Sequence, residues 1–65
     1  MTPAEFRHLR RKLGLTQAQI GRVMGYGVSA QARISEVESG ETVPAKTRRL
    51  MQAYASGYRP DDWPG

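Results

Sequence analysis

Cysteine is absent from this chain of 65 residues, which excludes disulfide staples, thiolate-ligated metal and thiol chemistry. Histidine occurs once, at His8, and one imidazole without cysteine or a second histidine cannot build a structural zinc site, so neither metal nor cofactor is expected. No apolar run approaches the roughly 18 residues needed to cross a bilayer, and the opening MTPAEFRHLRRK lacks the apolar stretch of a secretory leader. A soluble, cytoplasmic, nucleoid-associated protein is the expectation. G-x-S-x-G, P-loop and H-E-x-x-H motifs are missing as well, so neither an enzyme nor a small-molecule ligand is expected. Strand-like alternation, internal repeats and low-complexity tracts are also lacking. So short a chain, without staples, builds one modest core and gains from a partner subunit.

What the chain has in excess is positive charge. Ten Lys and Arg stand against six Asp and Glu, a net charge of +4, and the pI is near 10.1. Both aspartates fall in the last five residues, so the body of the chain is more basic than its average. A small basic domain points to an anionic partner, nucleic acid above all.

The pattern reads as four helices and a tail, with a domain over 1–57 and the tail over 58–65. Thr2, Pro3 and Glu5 have the spacing of a capping box with proline at the first helical position. Phe6, Leu9 and Leu13 then recur as a buried stripe, Arg7, Arg10, Arg11 and Lys12 take the other faces, and Gly14 marks the stop. Thr16 caps a second helix with Ile20, Val23 and Met24 inward, ended by Gly25 and Gly27. Ser29 is the expected cap of a third, in which Ile34 and Val37 face the core and Ser39-Gly40 closes. Pro44 opens a fourth, whose face carries Val43, Thr47, Leu50, Met51 and Tyr54 until Gly57. Gly21 sits inside the second helix, where glycine costs about 1 kcal/mol relative to alanine, so a close approach by another helix is expected there.

Two segments carry a family likeness. LGLTQAQIG (Leu13 to Gly21) and ISEVESG (Ile34 to Gly40) resemble the L-G-L-T-Q-x-x-[LI]-[AG] and I-S-x-[IVL]-E-x-G segments of the Xre/Cro-type helix-turn-helix family, which includes the phage lambda-like repressors. The likeness covers roughly residues 3–55. It implies an all-α, four-helix DNA-binding domain with a reading helix over the ISEVESG region. The chain departs from the pattern at Tyr26, Gly27 and Val28, three extra residues between the second and third helices.

Chemistry and likeness then divide the site residues. The major groove of B-DNA admits a helix, and Gln31 can pair with adenine N6/N7, Arg33 with guanine O6/N7, while Ala32 can touch a thymine methyl. The resemblance puts base contacts at Gln31, Ala32 and Glu36; Arg33 reaches either a base or a phosphate, and Glu36 either reads cytosine N4 or orients Arg33. Phosphate contacts are expected at Thr16 and Gln17, where a helix start offers backbone N–H groups, and at Ser29, Lys46, Arg48 and Arg10. By the resemblance Gln17 is the phosphate-contacting glutamine, and Arg10 pairs with Glu38, joining the first helix to the third. Tyr54, Tyr58 and Trp63 are the aromatics of an expected homodimer interface, the alternative being that Trp63 folds back over its own core.

These readings amount to a sequence-specific binder of double-stranded DNA, a dimeric repressor occupying an inverted-repeat operator. Among family members that description fits compact phage regulators, including the small repressors that accompany anti-CRISPR genes. The competing expectation is an antitoxin-like protein-interaction module that touches DNA secondarily. RNA binding is less favoured, because no exposed platform of stacking aromatics is evident.

Overall fold

The computed structural model describes residues 1–64, so Gly65 of the expected tail lies outside the described residues. Four α-helices follow in order, α1 (Pro3–Lys12), α2 (Gln17–Val23), α3 (Ala30–Ser39) and α4 (Ala45–Ala55), with a 3-10 turn (Gly27–Ser29) leading into α3. The fold is all-α, as the periodicity predicts, and among the described residues there is no strand.

Local chemistry starts the first two helices. The Glu5 N–H donates to Thr2 Oγ1 at 3.1 Å and the Thr2 N–H to Glu5 Oε1 at 3.0 Å, so both end donors of α1 are satisfied reciprocally. Thr16 and Gln19 repeat the arrangement at α2, at 2.9 and 3.1 Å. Helix α3 starts differently from the expectation. Ser29 makes no side-chain cap bond. Its φ of −89° and ψ of 6° lie on the helical side rather than in the extended region from which a serine hydroxyl reaches back to the helix N–H groups. The preceding 3-10 turn supplies the acceptors instead: the Ser29 N–H donates to the Tyr26 carbonyl at 3.3 Å, and the Ala30 N–H donates to the carbonyl of Gly27.

The core gathers Phe6, Ile20, Ile34, Met51 and Tyr54, with Leu15, Met24, Val37 and Val43 around them. The expected stripe of α1 is only partly apolar. Phe6 is buried, Leu9 and Leu13 are half-buried, and the remaining inward position, four residues after Phe6, is filled by Arg10, which as a charged residue was expected on another face. Val23 of α2 and Leu50 of α4 are likewise only half-buried.

Helix α2 packs chiefly on α3, and Gly21 is where they meet. A Cβ built on Gly21 would stand 2.6 Å from the Ala30 carbonyl oxygen and 2.7 Å from Ala30 Cβ. The glycine that weakens α2 internally is therefore the surface on which the first residue of α3 rests. The chain gets from one helix to the other through Gly25 and Gly27, whose φ angles of +94° and +60° lie in the left-handed region that side-chain-bearing residues rarely occupy. Tyr26, between them, is pinned rather than free: its hydroxyl lies 2.7 Å from Thr47 Oγ1, across to α4.

Candidate nucleic-acid interface

Burial divides α3 cleanly. Ala30, Ile34, Val37 and Glu38 face the interior, while Gln31, Ala32, Arg33, Ser35, Glu36 and Ser39 are exposed. At 100° per residue the exposed set forms a continuous arc opposite the Ile34 and Val37 line, with Gln31 on one flank and Arg33 on the other. The four residues expected to read bases, Gln31, Ala32, Arg33 and Glu36, thus stand together on the outward side of one helix.

Behind that arc α3 is clamped by a charge network around Glu38, whose side chain is 2% exposed. Arg10 donates from Nε to Glu38 Oε2 at 2.6 Å and from Nη2 to Oε1 at 3.0 Å, a two-pronged pairing that fixes direction as well as distance. Arg7 adds Nε to Oε1 at 3.2 Å and Nη2 to the Glu38 carbonyl at 3.3 Å. Gln17 Nε2 donates to the same Oε1 at 3.2 Å. Burial on its own pushes the Glu38 carboxyl up, but the hydrogen bonds from Arg10, Gln17 and Arg7, with the Arg10 charge, outweigh it and hold its pKa below the ordinary carboxylate value. One carboxylate thereby ties α3 to α1 and α2. Arg10 spends a further N–H on the Leu15 carbonyl at 3.0 Å, fixing the link between those two helices.

Of the two roles expected of Arg10, the geometry carries the pair with Glu38. Only 9% of the residue is exposed, so it is not presented to a phosphate. Gln17 is half-buried and, with one amide N–H donated to Glu38, retains the other. Thr16 is exposed, but its hydroxyl already accepts from the Gln19 N–H and its own N–H donates to Gln19, leaving Gln17 and Ala18 as the N–H groups the capping box does not use. Ser29 and Lys46 are exposed and Arg48 is half-buried.

Arg33 has a partner that the sequence did not disclose. Its guanidinium carbon lies 5.3 Å from the centroid of the Tyr26 ring, within cation–π reach. Among the described residues Glu36 forms no ion pair, and the group that lies against the Arg33 guanidinium is the Tyr26 ring. Arg33, Glu36 and Lys46 share the rim of a shallow cleft of about 380 Å³ between α3 and the start of α4, floored by Val37, Thr47 and Tyr26. Tyr26 was legible only as part of a turn. Its two contacts lie 7 and 21 residues along the chain, beyond the reach of local pattern.

The aromatics near the C-terminus are arranged within the chain. Tyr54 is 2% exposed and belongs to the core, which removes its side chain from any surface contact. Trp63 lies edge-on to it with ring centroids 5.2 Å apart. Arg59 stacks over Trp63 at 4.4 Å and donates to the Tyr54 carbonyl at 2.7 Å, strapping the tail to the end of α4. The folding-back considered for Trp63 is thus the arrangement in the monomer. Of the three aromatics expected at a dimer interface, only Tyr58 is exposed.

Among the described residues no helix is long and apolar enough to cross a membrane, and no group of three or more His, Cys, Asp and Glu could hold a metal ion. A family model described as a helix-turn-helix domain matches residues 4–62. No curated protein and no solved structure matches the chain significantly.

Proposed function

The chain belongs to the helix-turn-helix domain family, and from that premise we propose that it is a sequence-specific regulator of transcription of the Xre/Cro type, reading the major groove with α3. The observation that carries the reading is the outward arc of Gln31, Ala32, Arg33 and Glu36 on a helix held from behind by the Glu38 network. A base-reading helix needs donors and acceptors exposed on a rigid element, because each bidentate pair discriminates only if its angle is fixed before contact. Gln31 reads adenine, and Arg33, preset by the Tyr26 ring, reads guanine. Lys46 and Arg48, with the free N–H of the Gln17 amide, meet the flanking phosphates, which position the helix without specifying sequence.

The protein acts as a homodimer on an inverted repeat in the cytoplasm, and represses by occupying a promoter. One small module buries only about 600–1,000 Å² on DNA, and two-fold pairing doubles it. Tyr58 and the outer edge of Trp63 are the surface proposed for that pairing, and a small phage regulator is the proposed kind of protein.

Selection from a random duplex library, followed by footprinting and sedimentation with and without the selected duplex, tests the reading. The expected result is an inverted repeat bound by two chains. Gln31→Ala should then lose about 1–3 kcal/mol on that site and relax preference at one base pair per half-site, with nonspecific binding nearly unchanged. Absence of any sequence preference would transfer the weight to a protein-interaction module.

A further inference from the structure

The segment between α2 and α3 carries an exposed apolar side chain that is no part of the core. Val28, in the 3-10 turn, is exposed to 108% of the reference value, more than any other large hydrophobic residue described. Burial does not explain it, and a β-branched residue gains nothing from a helical turn. Its position is informative. The turn runs directly into α3, with the Ala30 N–H bonded to the Gly27 carbonyl. Whether the three residues 28–30 are wound at 100° or at 120° per residue, Val28 falls in the arc between Gln31 and Ala32, opposite the buried Ile34 and Val37 line. Val28 and Ala32 thus form a short apolar ridge beside Gln31, at the N-terminal end of the helix proposed to enter the groove.

A side chain without hydrogen-bonding atoms can read one feature of the major groove, the C5-methyl of thymine. We infer that Val28 is a specificity-determining residue that recognises a thymine methyl, so that the Tyr26–Val28 insertion extends the reading surface by one position. Val28 lies about 6 Å along the helix axis from Ala32, at 1.5 Å per residue, and stacked base pairs repeat about every 3.4 Å. The thymine it reads is therefore one or two base pairs from the one facing Ala32. The Glu38 clamp and the Ala30–Gly21 contact hold the base of this ridge in place.

The inference rests on the DNA-reading function proposed above, and its test separates the two. On the selected operator, each thymine is replaced singly by deoxyuridine, which removes the methyl and leaves base pairing intact, and the full chain and Val28→Ala are titrated against each duplex. Burying one methyl corresponds to about a fourfold change in affinity. The expected result is that the unmodified chain loses about fourfold at one thymine per half-site, that Val28→Ala loses a similar factor on the intact operator, and that Val28→Ala is indifferent to deoxyuridine at that thymine alone. Non-additivity of this kind marks direct contact. Equal and additive losses at every thymine, or a Val28→Ala defect that is the same on all sequences, would overturn the assignment and make Val28 a backbone neighbour. A chain with a preferred operator but no response to any deoxyuridine would overturn it while leaving the reader intact, whereas a chain with no preferred operator would overturn both.

Discussion

Glu38 is a carboxylate kept charged inside a small domain, and its neighbours differ in what they contribute. Arg10, 11% exposed at its side chain, is bound on two edges and buried with it. Arg7 is 44% exposed and touches the same oxygen from the rim. Removing one member of a buried pair leaves the other uncompensated and costs about 3–5 kcal/mol, while an exposed pair is worth about 0.2–1 kcal/mol. Glu38→Ala should therefore remove a large part of the stability of a domain this size, and Arg7→Ala little of it, as thermal denaturation of the two variants will read. Acid should act through the same group. Because the folded-state pKa of Glu38 is depressed, its stabilisation is complete above the unfolded value of about 4.3 and is lost as the pH falls through the lower, folded value. The Glu5 carboxyl is lowered too, chiefly by its hydrogen bond from the Thr2 backbone, so its contribution is also lost on acidification. The melting temperature should thus fall below about pH 4.3, and Glu38→Gln, which cannot titrate, should flatten that acid limb only in part. At this scale local pattern shows residue types but not partners. Arg10 lies one turn after Phe6 on the inward phase of α1, and a charge is held there because Glu38, 28 residues away, meets it, a pair that the family likeness implied and local pattern did not.

Helices α1 and α2 were legible because their signals are local: the capping residue, the acceptor three positions on, and the apolar spacing all fall within one or two turns. The start of α3 was not, because it is set by left-handed glycines and carbonyls of the preceding turn rather than by the Ser29 hydroxyl. Gly21 lies between these cases. Its cost inside a helix signals a close approach, yet only the structure identifies Ala30 as what approaches. Gly21→Ala pits about 1 kcal/mol of helix propensity against a Cβ placed 2.6 Å from a backbone oxygen that cannot rotate away. The clash should win. Overpacking of this kind costs typically 1–3 kcal/mol, so a net loss of melting temperature is expected, together with weakened binding to the selected operator as α3 is pushed off its seat. A Gly21→Ala variant as stable as the parent would mean that α2 and α3 can separate freely, contrary to the fixed geometry that reading requires.

Taken whole, the molecule gathers most of its apolar residues into one core and a strapped tail and leaves the outward arc of α3 mainly polar, with Arg33 and Glu36 as its charged groups and the exposed Val28 at its start. Arg59, Trp63 and Tyr54 close the end of α4, leaving Tyr58 as the exposed aromatic there. That division of surfaces supports a reader of DNA whose affinity comes from phosphates and whose discrimination comes from α3. The measurement that tests this most directly is the dissociation constant of the unmodified chain for its selected duplex against a scrambled duplex of equal length and composition, at one fixed salt concentration. The account predicts tighter binding to the selected duplex by about 10³-fold or more, the range of specific DNA readers. Equal affinity for the two duplexes would contradict it, leaving only the salt-dependent attraction of a basic protein for phosphate.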